Sequence, residues 1–217
     1  MKTRSKMVSM YFRGYLNKVK MKISVVCASN QNRSMEAHDV LAKKGFQVTS
    51  FGTNSMIKLP GPTANTPNSY PFGTTYESIR QDLLAKDPVL YRSNGMLMLL
   101  DRNARIKTAP QRFQDRESVD DELIVTCEER CFDIVAEDLL QRQNLGEEAA
   151  DRVVHLVNFD IVDSPEEATV GARSILQFVQ QIEENKHKDL NDVIPQVYED
   201  FVVNSSLKTL YSVHYCQ

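Results

Sequence analysis

Hydrophobic and polar positions along the chain change period several times, and each change marks an element. The run Lys22-Ile23-Ser24-Val25-Val26 is rich in β-branched residues and reads as a strand. Apolar positions then recur at helical spacing over Ser34–Lys44, and Gly45 stands in the C′ position where helices end. Gln47–Phe51 reads as a second strand, so the chain opens as a βαβ unit with parallel strands. Residues 53–75 are rich in Thr, Asn, Pro and Gly, which predicts a long loop or a small hairpin. Loops of that length inside a compact domain are usually functional. Helical patterns follow at Tyr76–Ala85 and Pro88–Ala104. Leu123–Cys127 and Val153–Val157 read as the third and fourth strands, each followed by a helix, Glu128–Gln143 and Pro165–Glu184. A helix over Asp189–Val202 and a last strand over Thr209–Tyr215 complete the set.

This order predicts an α/β fold, a three-layer αβα arrangement around a central, mostly parallel sheet. At 217 residues the chain suits a single domain, here 21–217, with a helical and hairpin insertion over about 53–120. No apolar run approaches the ~20 residues needed to span a membrane. Net charge is −3, but residues 1–20 carry six Lys/Arg and no acid. The body from Met21 therefore holds 20 basic against 29 acidic residues, a net of −9. An acidic body argues against direct nucleic-acid binding. The leader Met1–Lys20 lacks the apolar core of a secretory signal, since Arg13 and Gly14 interrupt it. Its basic, acid-free composition would also suit a transit peptide. It is expected to be either disordered or untranslated, because Met21 stands just before the first strand, and no function is assigned to it. Four cysteines make no disulfide framework. Cys127 and Cys131 read as core thiols, and no metal or cofactor is expected, because His and Cys partners at zinc-ligand spacing are lacking. His38, His155, His187 and His214 read as solvated or satisfied structural histidines.

The chemistry concentrates in Val25-Val26-Cys27-Ala28-Ser29-Asn30-Gln31-Asn32-Arg33-Ser34. A strand delivers Cys27 to a polar loop, and a helix begins just beyond it. Folded around a tetrahedral anion, such a loop turns its N–H groups inward at a helix N-terminus. Arg33 would add a planar bidentate fork, and the same positive surroundings would hold Cys27 as the reactive thiolate. That is the chemistry of a phosphatase. Cysteine six positions before arginine is a weak pattern by itself, since chance supplies about 0.2 matches in such a chain. The strand before it, the helix after it and the hydroxyl of Ser34 raise its weight. The plain alternative is a buried structural thiol beside a surface arginine.

In a parallel sheet, ligands bind beyond the carboxyl ends of the strands. The fourth strand ends in Asn158-Phe159-Asp160-Ile161-Val162-Asp163-Ser164-Pro165, so Asp160 or Asp163 could supply a general acid. Aspartates just before a helix are most often caps. Here Ser164-Pro165-Glu166-Glu167 already fits a capping box, which leaves Asp163 free for other work.

The wider segment Val26–His38 resembles the suppressor-of-sua family of phosphatases, which act on the RNA polymerase II C-terminal domain and are related to low-molecular-weight tyrosine phosphatases. Ser50-Phe51-Gly52-Thr53, Lys58-Leu59-Pro60-Gly61-Pro62, Leu100-Asp101-Arg102-Asn103 and Thr126-Cys127-Glu128-Glu129-Arg130 resemble it in family order. So do Val157-Asn158-Phe159-Asp160-Ile161 and Glu166-Glu167-Ala168-Thr169. The resemblance implies a phosphocysteine mechanism with Cys27 as nucleophile, Arg33 on the phosphate, Ser34 bonding the thiolate, Asn30 bracing the loop and Asp163, rather than Asp160, as acid. It implies that the phosphate sits on the fifth-position serine of the heptad Tyr-Ser-Pro-Thr-Ser-Pro-Ser, with the seventh-position serine a second candidate. The following Ser-Pro bond would be bound cis, walled by Lys58, Leu59, Pro60, Tyr91 and Leu99. It also implies a nuclear (and in part cytoplasmic) protein of transcription termination and mRNA 3′-end processing, a symplekin-type scaffold partner and sensitivity to prolyl isomerase.

Two other enzyme readings compete. A low-molecular-weight tyrosine phosphatase or an arsenate reductase would share the loop, but the 53–120 insertion argues against both. The apparent absence of a resolving-cysteine pair near the site further disfavours the reductase. A phosphopeptide-binding module would not need a thiol.

Overall fold

The computed structural model describes residues 21–63, 65–145 and 152–216. The expectations for the leader Met1–Lys20 lie outside the described residues. A five-stranded sheet forms the centre, in the order β2-β1-β5-β6-β7. Its strands are β1 (Lys22–Cys27), β2 (Gln47–Gly52), β5 (Leu123–Thr126), β6 (Arg152–Phe159) and β7 (Thr209–Cys216). The first four run parallel and β7 is antiparallel to β6.

Both faces of this sheet are covered, so its strands are apolar on alternate and on intervening positions. Ile23, Val25, Leu123, Val125, Val157 and Phe159 join one core with α1 (Arg33–Lys43), α6 (Pro165–Glu184) and α7 (Leu190–Asn204). Val26, Ile124, Val154 and Leu156 join a second core with α5 (Glu129–Leu145) and the single turn Phe113–Asp115. The three-layer expectation therefore holds. Burying each large side chain contributes about 1.5–3 kcal/mol, so the two cores dominate stability.

The register fixes where the site lies. Cys27 pairs with Gly52, Val26 with Thr126, and Thr126 with Asn158. The carboxyl ends of β1, β5 and β6 are therefore level, and their following loops emerge on one edge. Helix α6 starts as expected: Pro165 occupies its first turn and Ser164 Oγ accepts from Glu167 N at 3.1 Å. The reciprocal half of the box is replaced, because Ser164 N donates to Val162 O. On the same helix, a Cβ at Gly171 would lie 2.4 Å from Ile161 Cδ1, so glycine lets the loop after β6 sit down on α6.

Between β2 and β5 the insertion builds its own core. Strands β3 (Ile57–Leu59) and β4 (Asn68–Tyr70) form an antiparallel hairpin inside the predicted loop. Helices α2 (Tyr76–Lys86), α3 (Pro88–Ser93) and α4 (Met96–Ile106) follow. Ile57, Leu59, Tyr76, Ile79, Leu83, Tyr91, Met96, Leu97 and Leu100 pack together, with Met35 of α1 inserted among them. One expectation fails here: Pro88–Ala104 is two helices. Gly95 adopts φ +77° and Asn94 Oδ1 accepts from Met96 N, so the chain ends α3 and restarts as α4.

Candidate active site

Cys27 ends β1, almost wholly buried, and its carbonyl accepts from Thr53 N at 3.1 Å. Three residues on, Asn30 takes φ +52°, a left-handed conformation that asparagine tolerates better than most residues. Its side chain then works locally. Asn30 Nδ2 donates to Ser34 Oγ at 3.0 Å, and Ser34 Oγ lies 3.1 Å from Cys27 Sγ. Because Ser34 Oγ accepts from Asn30, the serine proton is available to the sulfur. Gln111 N donates to Asn30 Oδ1 at 3.2 Å and so fixes which way the amide faces.

Four carbonyls of the loop are occupied, three of them by residues outside the loop and α1. Ala28 O accepts from Thr53 N and Asn54 N, and Asn30 O accepts from Tyr76 Oη at 2.7 Å. Gln31 O accepts from Asn103 Nδ2 at 2.8 Å and Arg102 Nη2 at 3.1 Å, while Asn32 O accepts from Glu36 N at 2.9 Å. No hydrogen bond among the described residues uses the N–H groups of Ala28, Ser29, Asn30, Gln31 or Asn32 as donors. A run of free N–H groups ahead of helix α1 suits a tetrahedral oxyanion.

Arg33 is buried and held from four sides. Nη1 donates to Ile161 O at 2.9 Å and Cys127 O at 3.3 Å; Nη2 pairs with Glu128 at 2.8 Å; Nε lies 3.4 Å from Asp163 Oδ1. Burial would lower its basicity, but the charges of Cys27, Asp163, Cys127 and Glu128 outweigh that, and the guanidinium is held above its ordinary value. Glu128, the tightest ion partner of Arg33, is given no role by the sequence reasoning. Its signals are the block Thr126-Cys127-Glu128-Glu129-Arg130 and its place just after β5, beside the ends of β1 and β6.

Asp163 is brought to the same loop: Asn32 Nδ2 donates to its Oδ1 at 3.0 Å, and its side chain stays 57% exposed. Asp160 is also exposed, but its backbone N–H donates to Lys208 O. Among the described residues, no ion pair or hydrogen bond joins its carboxylate to the loop after β1. The two aspartates are thus distinguished by geometry.

The hairpin flanks the loop, with Lys58 N donating to Ser29 Oγ at 3.2 Å. Beside it runs an open groove of about 370 Å³ lined by Lys58, Leu59, Pro60, Gly61, Thr63 and Pro67. Tyr91 is not on this groove. It is fully buried, and its hydroxyl accepts from Asn68 Nδ2, which also donates to Pro60 O. Tyr91 therefore supports the hairpin from behind, and a wall contact from it is corrected on that ground. Leu99 packs half-buried against the insertion core and is not among the groove's lining residues.

Cys127 and Cys131 are fully buried, as core thiols should be, and burial pushes both thiols up. Their positions still hold a surprise. Cys127 N donates to Val26 O at 2.9 Å, so Cys127, the residue just after β5, lies beside the end of β1 that carries Cys27. Spacing along the chain does not show that β5 abuts β1, so this neighbour of Cys27 is not legible in the sequence. Lys107 is likewise unforeseen. Its Nζ donates to Ser50 O at 2.5 Å and Gln111 Oε1 at 3.1 Å, and burial pushes its ammonium down to about 7 against the pull of Cys27.

Comparison with known proteins agrees with this geometry. The family model described as Ssu72-like protein matches residues 21–216. The RNA polymerase II C-terminal domain phosphatase ssu72 of Schizosaccharomyces pombe is 48% identical over 199 residues, covering 91% of this chain and 98% of that protein. A crystal structure of the serine phosphatase of the RNA polymerase II CTD (SSU72 superfamily) from Drosophila melanogaster is 43% identical, with a TM-score of 0.84 over 90% of this chain and 100% of that one. Ssu72 of D. melanogaster with Symplekin, bound to a cis peptidomimetic CTD phospho-Ser5 peptide, is 42% identical with a TM-score of 0.82, covering 90% and 98%. The chain belongs to the Ssu72 family.

Proposed function

We propose that this protein is a cysteine-dependent phosphatase of the RNA polymerase II C-terminal domain, with residues 21–217 as one catalytic unit carrying the 53–120 insertion. One observation carries the reading: Cys27, Ser34, Arg33 and Asp163 converge on one edge of the sheet from two loops far apart in sequence.

In the first step Cys27 Sγ attacks phosphorus in line, and the serine oxygen leaves with a proton from Asp163. The product is a phosphocysteine and a free serine hydroxyl. In the second step Asp163 takes a proton from water, whose oxygen attacks phosphorus; the sulfur leaves as thiolate, stabilised by the Ser34 hydroxyl. Arg33 and the inward N–H groups of Ala28–Asn32 carry the charge of the equatorial oxygens in both steps. Glu128 and the carbonyls of Ile161 and Cys127 set the plane of the guanidinium.

The substrate reading rests on the family and on the groove. Drosophila Ssu72 was captured with a cis phospho-Ser5 peptide and Symplekin. Here the groove lined by Lys58, Leu59 and Pro60 begins where Lys58 meets Ser29, so a residue following the phosphoserine could enter it. The fifth-position serine is the proposed target, with a cis Ser-Pro bond. A symplekin-type scaffold, a nuclear location and a role in 3′-end processing go with that substrate. Phosphate release from heptad peptides phosphorylated at the fifth serine, at the seventh serine or at tyrosine tests the reading. Preference for the fifth serine supports it, and preference for phosphotyrosine would overturn it.

A further inference from the structure

Three residues of the insertion, none of them a nucleophile or an acid, close around the loop after β1. Tyr76 opens α2 and donates to Asn30 O at 2.7 Å. Asn103 on α4 donates to Gln31 O at 2.8 Å. Arg102, beside it, donates to Gln31 O at 3.1 Å and Asn32 O at 3.4 Å, and ion-pairs with Glu36 of α1. Tyr76 and Asn103 are fully buried. Their donors find acceptors in two successive carbonyls of the loop, while the next, Asn32 O, is already held by Glu36 N at 2.9 Å.

That pattern has an electrostatic consequence. In a peptide unit the C=O and N–H point in opposite directions, so a carbonyl held outward aims the following N–H inward. A carbonyl free to rotate inward would instead present its negative end to a dianion. Outward carbonyls in a buried loop also need donors, since an unpaired buried carbonyl costs about 1–3 kcal/mol. We propose that Tyr76, Arg102 and Asn103 are positioning residues of the phosphatase reaction: they pin the carbonyls of Asn30 and Gln31 outward, beside an Asn32 carbonyl held by Glu36 N of α1, and so pre-aim the N–H groups that bind phosphate. The inference rests on the reading of residues 28–34 as a phosphate cradle. It gives the insertion a second task, making the fold of α2 and α4 a condition for the cradle's shape.

The test uses inorganic phosphate as inhibitor of p-nitrophenyl phosphate hydrolysis by the full chain, a substrate too small to need the groove. Tyr76→Phe and Asn103→Leu each remove one donor while keeping the bulk. Leu83→Ala, a cavity in the same insertion core, supplies a destabilised control that touches no loop carbonyl. Asn103→Leu is expected to weaken phosphate inhibition about tenfold and to lower kcat, less than the ~10²–10³ lost when an oxyanion donor is itself deleted. Tyr76→Phe should shift both in the same direction. Leu83→Ala should lower the melting temperature with phosphate inhibition within about twofold of wild type. Folded Tyr76→Phe and Asn103→Leu with unchanged phosphate inhibition would overturn the inference, as would an equal loss in Leu83→Ala. If Asn103→Leu does not fold, Tyr76→Phe decides alone. Wild-type hydrolysis insensitive to phosphate would instead refute the cradle itself, and the inference with it.

Discussion

Asn32 donates through its side-chain amide to Asp163 Oδ1 at 3.0 Å, across 131 positions of sequence. The loop after β1 and the loop after β6 are thereby joined directly, and Arg33 Nε lies 3.4 Å from the same carboxylate oxygen. A carboxylate so placed can exchange a proton with a group bound over Cys27, whereas Asp160, whose backbone is tied to Lys208, is joined to no part of that loop among the described residues.

Asp163→Asn is therefore expected to lower kcat on a phosphoserine peptide by about 10²–10³, within the range of a lost general acid. It should also flatten the alkaline limb of the pH–rate profile, where activity falls as a general acid loses its proton. Asp160→Asn should stay within about threefold of wild type, as surface substitutions commonly do. The reverse ranking in steady-state kinetics would move the acid to Asp160.

The groove predicts a split between substrates. Pro60→Ala should raise KM for the fifth-position phosphopeptide several-fold and leave p-nitrophenyl phosphate hydrolysis unchanged, because only the peptide reaches the hairpin. A cis-selective site also predicts that prolyl isomerase speeds late turnover, since cis is the minor form at X-Pro and exchanges over tens to hundreds of seconds. Equal initial rates on cis-locked and trans-locked phosphopeptides would contradict it.

Acid should weaken the fold through His38. Burial, and then the charge of Lys107, pushes its imidazole from 6.5 down to about 4. Between those values the unfolded chain takes up a proton that the folded chain does not, so stability falls as pH falls from about 6.5 to about 4. Burial also lowers His155 and His214, adding slope of the same sign. Removing the titrating ring with His38→Gln should make the melting temperature less sensitive to pH across that window. An unchanged pH dependence in the variant would rule the contribution out.

Much of the site is legible in the sequence because its signals are local. A strand feeding Cys27, a hydroxyl after Arg33 and a Ser-Pro-Glu-Glu cap at α6 are decided within a few residues of each other. The helix break at Asn94-Gly95 escapes the pattern although the dipeptide is a turn signal, because apolar spacing continues across it and hides the left-handed glycine. Glu128, Cys127, Arg102 and Asn103 stand in blocks that resemble the family, but their places at the site escape the pattern for another reason. Their importance comes from which strand lies beside which and from where α4 docks, and no periodicity records that. Tyr91 shows the converse: an aromatic expected at the substrate is spent on the insertion's own core.

The most direct test of the phosphocysteine mechanism is to catch the covalent intermediate. Wild type and Asp163→Asn would be mixed with phosphoserine heptad peptide, quenched rapidly in acid, digested and analysed by mass spectrometry. One phosphoryl group is expected on the peptide containing Cys27, more abundant in Asp163→Asn if loss of the base slows the second step more than the first, and absent in Cys27→Ser. Phosphate release that persists in Cys27→Ser, or a phosphoryl group carried on any other residue, would contradict the mechanism.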